Sequence, residues 1–178
     1  MGGFITGLDW SVLGWIHENL SCQFLDILMP MITALGNGAF FWIVAGAVLF
    51  LQRKHRRQGL ALLLALGACA LLGNLLLKPL VARPRPCIQN PNIPLLIPVP
   101  HGYSFPSGHA MTSAAGAAVL RRTNSPFQRA AVPLALLIAF SRLYLYVHFP
   151  SDVLCGLILG AGIGCLFLRQ WPGRQLSA

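Results

Sequence analysis

"PSGHAMTSAAGAAVL", residues 106–120, sets a proline, a serine, a glycine and a histidine directly before a run of small and apolar residues. Ser107 and Gly108 ahead of such a run read as the place where a helix begins. A titratable imidazole, His109, therefore stands at the mouth of an apolar helix. The rest of the chain has to supply the partners that give it a purpose.

The setting is membranous. Of 178 residues, 56% are hydrophobic and only 10% charged, whereas a soluble domain carries about a quarter charged residues. Four further apolar runs accompany 110–120: Ile27–Gln52, broken at Gly36-Asn37-Gly38; Leu60–Leu77; Ala130–Val147, interrupted only by Arg142; and Val153–Leu168. Runs this short reach the ~20 residues of a span when each helix continues into flanking polar residues. The expectation is an all-α, polytopic membrane helix bundle with five transmembrane helices. "LDWSVLGWIHENL" (8–20), with tryptophans and three ionisable groups, reads as an interfacial helix or a sixth span. One membrane-embedded domain is expected over 1–178, with 1–36 as an interfacial or re-entrant segment. The N-terminus lacks a basic n-region, so no cleaved signal peptide is expected.

Basic residues define the topology. Four lie in 53–57, three in 121–129 and two after 168, and alternation of the helices puts these nine on one side, the cytoplasmic one by the positive-inside rule. They form no aromatic-laced stripe, so nucleic acid is not the expected partner of the +9 net charge. Lys78, Arg83, Arg85 and Arg142 fall on the opposite side. A cation at the membrane centre costs roughly 2.5–3.5 kcal/mol, so several together imply a polar cavity or an anionic partner. Asp152 is the single carboxylate after residue 26. An external polyanion such as phosphate fits the surplus.

Residues 79–106 hold eight of the thirteen prolines and read as an irregular loop; loops of that length usually build sites. Of the five cysteines, Cys69, Cys155 and Cys165 lie in apolar runs, and no spacing indicates a metal site. Tyr144 and Tyr146 read as members of the interfacial aromatic belt.

The spacing is specific. Lys78 stands seven residues before Arg85-Pro86, "PSGH" occupies 106–109, and "SRLYLYVHFPSD" (141–152) places Ser141-Arg142, His148 and Asp152 in register. Here the chain resembles the type 2 phosphatidic acid phosphatase superfamily, whose motifs K-x6-R-P, P-S-G-H and S-R-x5-H-x3-D are all present without a departure. Eleven specified residues make a chance match negligible. The resemblance covers 78–152 tightly, the stretch expected to carry catalysis. It implies a metal-independent, cofactor-free phosphatase of the cell membrane, resembling the undecaprenyl-diphosphatase and phosphatidylglycerophosphatase B-like members. The site would face the non-cytoplasmic side, and the substrate would be undecaprenyl diphosphate, phosphatidylglycerophosphate or phosphatidic acid. A lipid phosphotransferase and a small phosphate transporter are the competing readings.

The residues support that chemistry on their own terms. Lys78, Arg85 and Arg142 can neutralise phosphate oxygens. Ser107 and Gly108 open a helix, whose free amides and dipole favour an anion. His148 is the expected nucleophile, forming a phosphohistidine, with Asp152 on its far ring nitrogen. His109 is the expected general acid and later base. Arg83 stands outside the pattern, as a candidate substrate contact.

Overall fold

A computed structural model describes residues 2–123 and 128–170. Parts of two basic stretches, 124–127 and 171–178, lie outside the described residues. Those described are helical, with no strand among them. The helices are α1 (Gly2–Leu20), α2 (Gln23–Leu35), α3 (Phe40–Leu51), α4 (Arg56–Ala70), α5 (Lys78–Val81), α6 (Pro86–Gln89), α7 (Gly108–Leu120), α8 (Gln128–Tyr144) and α9 (Pro150–Gln170).

The helix that begins at "PSGH" is the axis of the bundle. α7 packs against α4, α8 and α9, and Ala110, Met111, Ser113, Ala114, Ala115, Gly116, Ala117, Val119 and Leu120 are all buried. Its small side chains let the neighbours come close. α9 answers with Gly156, Gly160 and Gly164 on one face. A Cβ at Gly156 would stand 2.7 Å from the Ser107 carbonyl, one at Gly164 2.7 Å from that of Ala115, and one at Gly160 would collide with that of Met111. This contact fixes the start of α9, and with it Asp152, against the start of α7. On another side Trp42 of α3 packs over Gly116 and donates from its indole N–H to Ser113 Oγ at 3.0 Å.

By length and hydropathy, two segments can cross a membrane, Arg56–Gln89 and α9; the pair α2 and α3, bent by 46°, makes a third if taken as one span. The expectation of five spans is therefore not met by length alone. α7, at 13 residues, is ~20 Å long against a ~30 Å hydrocarbon core. Burial explains how so short a helix is tolerated, since α4, α8 and α9 pack around it. The outer surface is apolar, with Phe4, Phe24, Leu51, Leu75 and Leu80 each at least 70% exposed.

The bend falls where glycines interrupt the first run. Gly38 and Ala39 both adopt left-handed backbone (φ 56° and 58°), the first at no steric expense. α1 is one continuous helix from Gly2, longer than the segment 8–20, and it packs on α8 and α9. Tyr144 and Tyr146 are 7% and 4% exposed, so they belong to the interior and not to an aromatic belt. Tyr144 ties α8 to α2 by donating to Asp26 Oδ1 at 2.6 Å, a contact between residues 118 apart that no local pattern encodes.

Between α4 and α5, residues Leu71–Leu77 form a π-helical stretch. Such wide turns are common near functional sites because they re-aim the next turn of helix; here that turn begins with Lys78. Ala82, left-handed at φ 48°, closes α5 by donating to the Lys78 carbonyl and turns the chain towards Arg83 and Arg85. The loop 79–106 is thus less irregular than expected, being punctuated by α5 and α6.

Candidate active site

The end of α5, the start of α7, the end of α8 and the start of α9 meet at one end of the bundle, and they bring the three motifs together. His148 lies in the short linker after α8 and is 2% exposed. Arg85, 4% exposed, donates from Nη1 to the Val147 carbonyl at 3.0 Å and places the same nitrogen 3.0 Å from His148 Nε2. An arginine offers only donors, so Nε2 must present its lone pair there, and the ring proton of the neutral imidazole sits on Nδ1. Burial pushes His148 down to about 4; Asp152 opposes that shift, and Arg85 and Arg142 reinforce it. The ring is neutral at pH 7, with its reactive lone pair on Nε2.

On the other side of the ring, the expected direct bond to Asp152 is replaced by a bridge. Nδ1 is 3.8 Å from Asp152 Oδ2, too far for a hydrogen bond. Ser104 fills the interval: its hydroxyl donates to Asp152 Oδ2 at 2.5 Å and lies 3.3 Å from Nδ1, from which it can accept. Asp152 also accepts from the Phe149 amide at 2.9 Å, which closes the first turn of α9. The carboxylate is fully buried, and each bond aims it.

The remaining cations surround the same point. Arg142, 2% exposed, is held by donation from Nη1 to Thr33 Oγ1 of α2. Its buried Nε has no hydrogen-bond partner among the described residues. Unsatisfied buried donors are rare and call for an explanation. Lys78 is half-buried and close enough to Arg85 and Arg142 to feel their charges. Ser107 caps α7, accepting from the Ala110 amide at 3.5 Å, and its own amide donates to the Asp152 carbonyl at 3.0 Å. A Cβ at Gly108 would meet no atom within 4 Å, so protein packing does not demand glycine there.

His109 is half-buried, and its environment differs. Its Nε2 lies 3.0 Å from Oδ1 of Asn37, an acceptor, so Nε2 carries a proton on this side. Asn37 belongs to the bend between α2 and α3, and Gly36 packs so closely that a Cβ there would stand 2.5 Å from the His109 ring. The glycines that break the first apolar run thereby make room for the second imidazole.

All eight expected site residues, Lys78, Arg85, Ser107, Gly108, His109, Arg142, His148 and Asp152, lie at this end of the bundle. Sequence reasoning missed Ser104, Thr33 and Asn37. Ser104 adjoins the second motif, but nothing in its spacing distinguishes it from a loop serine; Thr33 and Asn37 arrive from distant helices. Arg83 is not a free substrate contact: it forms ion pairs with Asp9 at 2.6 Å and Asp152 at 2.7 Å. Cys22 and Cys87 are both free, the one exposed and the other buried.

A helical membrane protein with buried arginines and paired histidines at one end of its helices has the architecture of a membrane phosphatase. The family model of the PAP2 superfamily matches residues 58–176, and the chain belongs to that superfamily. It is 34% identical over 147 residues to an undecaprenyl-diphosphatase of Sulfolobus acidocaldarius, covering 82% of this chain and 70% of that one. Among solved structures, LpxE of Aquifex aeolicus superposes with a TM-score of 0.80 at 29% identity, covering 91% of this chain and 95% of that one. A transmembrane PAP2-type phosphatidylglycerolphosphate phosphatase from Bacillus subtilis gives 0.76 at 30% identity, covering 96% and 89%. The protein is a membrane-associated PAP2 lipid phosphatase, a hydrolase of phosphate esters and diphosphates.

Proposed function

We propose that this chain removes phosphate from a lipid phosphate or isoprenyl diphosphate through a phosphohistidine on His148, at the non-cytoplasmic face of the cell membrane and without a metal. The observation that carries the reading is the buried Nε of Arg142, which has no hydrogen-bond partner among the described residues, with Arg85 and Lys78 adding two more cations around a neutral imidazole. A phosphoryl group would satisfy that donor and neutralise those charges.

The steps are set by the atoms present. The Nε2 lone pair of His148 attacks phosphorus, and the bond from phosphorus to the leaving oxygen breaks. His109, protonated when the negative charge of the bound phosphate sits beside it, gives its proton to that oxygen as it departs. The positive charge formed on the His148 ring is met through Ser104 and Asp152 on the Nδ1 side. Neutral His109 then takes a proton from water, whose oxygen attacks phosphorus, and the P–N bond breaks to release inorganic phosphate. Lys78, Arg85 and Arg142 hold the oxygens in both steps, with the Gly108 amide at the start of α7 beside them.

The outer-face assignment rests on charge. Arg53, Lys54, Arg56 and Arg57 lie between and at the start of α3 and α4, Arg121 and Arg122 come after α7, and Arg169 ends α9, at helix ends opposite to the motifs. Impermeant thiol labelling in intact cells should reach a cysteine at position 92 and not one at position 54 in a cysteine-free background.

Phosphate release from a panel of undecaprenyl diphosphate, phosphatidylglycerophosphate and phosphatidic acid, by purified protein, tests the activity and ranks the substrates. Turnover should survive a strong chelator and be abolished by orthovanadate. Loss of turnover on chelation with recovery on added magnesium would refute the histidine mechanism, since magnesium sites want carboxylates.

A further inference from the structure

Asp9 and Arg83 lie outside the three motifs, and Asp9 also lies outside the family match at 58–176. Yet the two are joined to each other and to the catalytic carboxylate. Arg83 donates from Nη2 to Asp9 Oδ2 at 2.6 Å, and from Nη1 to Asp152 Oδ1 and to Ser151 Oγ, both at 2.7 Å. Asp9 is 3% exposed. It accepts from the Ser151 amide at 2.9 Å and from the Ser151 hydroxyl at 2.6 Å. The Arg83 guanidinium lies 4.0 Å over the Phe149 ring, one residue after His148. The Arg83 carbonyl accepts from the Ser104 amide at 2.8 Å.

Arg83 therefore holds both partners of the nucleophile, Ser104 through its backbone and Asp152 through its side chain. Both of its terminal nitrogens are engaged on carboxylates, which argues against a role in gripping substrate. Asp152 spends Oδ1 on Arg83 and Oδ2 on Ser104 and the Phe149 amide, so its orientation is set from both sides. Asp9 supplies the far anchor. A buried carboxylate is tolerated when paired and hydrogen-bonded in this way, and removing one partner leaves the other charge exposed to the full desolvation penalty.

We propose that Asp9, on the N-terminal helix, is a positioning residue for phosphoryl transfer: through Arg83 it locks Asp152 and Ser104, and through them the tautomer and orientation of His148. α1 is then a working part of the active site. The proposal rests on the reading of His148 as nucleophile.

The test uses the full-length purified protein with Asp9→Asn, Arg83→Gln, the double variant and Ser151→Ala, the last as a milder change should Asp9→Asn fail to fold. Single-turnover phosphoenzyme formation is monitored against pH with one nitrophenyl phosphate, so that substrate ionisation is common to all. Asp9→Asn should lower the rate about tenfold with KM and vanadate inhibition unchanged, and Ser151→Ala about threefold, as for lost buried hydrogen bonds. The double variant should be no slower than Arg83→Gln, as coupled residues require.

The charges facing His148 are Arg85, Arg142, His109 and Asp152, with Arg83 and then Asp9 behind Asp152. Losing Arg83 leaves two carboxylates uncompensated, which favours protonated His148 and moves the acid limb of the rate to higher pH. Losing Asp9 leaves Arg83 uncompensated and moves it to lower pH. A merely structural pair would lower the folded fraction and leave the limb in place in both, which would overturn the proposal. A raised KM with an unchanged rate in Arg83→Gln would instead make Arg83 a substrate ligand, and also overturn it. Retention of label by His148→Ala would show separately that the nucleophile has been misassigned.

Discussion

The two imidazoles are held in opposite ways. His148 is enclosed, with Arg85 on one ring nitrogen and Ser104, backed by Asp152, on the other. His109 is half-buried and is bonded to an exposed asparagine on a bent segment and to the backbone of Thr33, with no charged partner on either ring nitrogen among the described residues. A nucleophile must meet phosphorus along one line, so its lone pair has to be fixed before substrate arrives. A general acid must adapt to leaving groups of different shape, and a lightly held ring can do that. The enclosed side of the pocket is thus built for geometry and the open side for proton transfer.

Deleting the enclosed ring should have the most severe effect. His148→Ala should lose turnover by at least about 10⁴-fold, the order expected for a covalent nucleophile. No phosphoenzyme should be trapped by acid quench with any substrate. In the intact protein, His148 at about 4 keeps its neutral form across the range where an ordinary histidine would protonate. Turnover should therefore retain its nucleophile as pH falls through 6 and lose it only as the ring protonates near 4, which a pH–rate profile checks.

Removing the lightly held ring comes next. His109→Ala should lose about 10²–10⁴-fold with an alkyl phosphate, the usual worth of general acid–base catalysis. The first step should recover when the leaving group is a nitrophenolate that needs no proton. The second step still lacks its base, so labelled phosphohistidine should accumulate in this variant. Label trapped in His148→Ala and absent in His109→Ala would reverse the two roles.

Ser104→Ala probes how the enclosed ring is held. It strands a ring N–H in a buried site and leaves Asp152 Oδ2 with the Phe149 amide alone, worth about 1–3 kcal/mol, or roughly 5- to 150-fold in rate. KM should hold while kcat falls. An unaffected kcat would mean that Asp152 closes the 3.8 Å gap and bonds Nδ1 itself. The smallest effect is expected on the lightly held side. Asn37→Ala removes one hydrogen bond near solvent, roughly 2- to 12-fold. It should appear with alkyl leaving groups and vanish with nitrophenyl phosphate, measured side by side.

Sequence alone was informative to different depths in different places. Eleven motif residues, a break at Gly36-Gly38 and a helix start at Ser107 could be read directly, because each has a local cause in residue type and spacing. The number of spans could not. α7 and α8 are 13 and 17 residues long, and hydropathy cannot tell a short helix buried among others from one that crosses lipid. Tyr144 and Tyr146 show the same limit, since an aromatic at a helix end looks alike whether it faces headgroups or core.

The chemistry is written in the chain: two histidines, one carboxylate and a surplus of cations at fixed spacings, in a composition that only a membrane can hold. How that chemistry is aimed is a product of the fold. Ser104 stands between His148 and Asp152, Asn37 meets His109 across 72 residues, Thr33 secures Arg142 across 109, and Asp9 reaches Arg83 across 74. Each is a polar contact between segments distant in sequence. Its partner is chosen by how closely small residues on α7 and glycines on α9 let the helices approach, and a hydrogen bond so placed leaves no periodicity or spacing in the sequence.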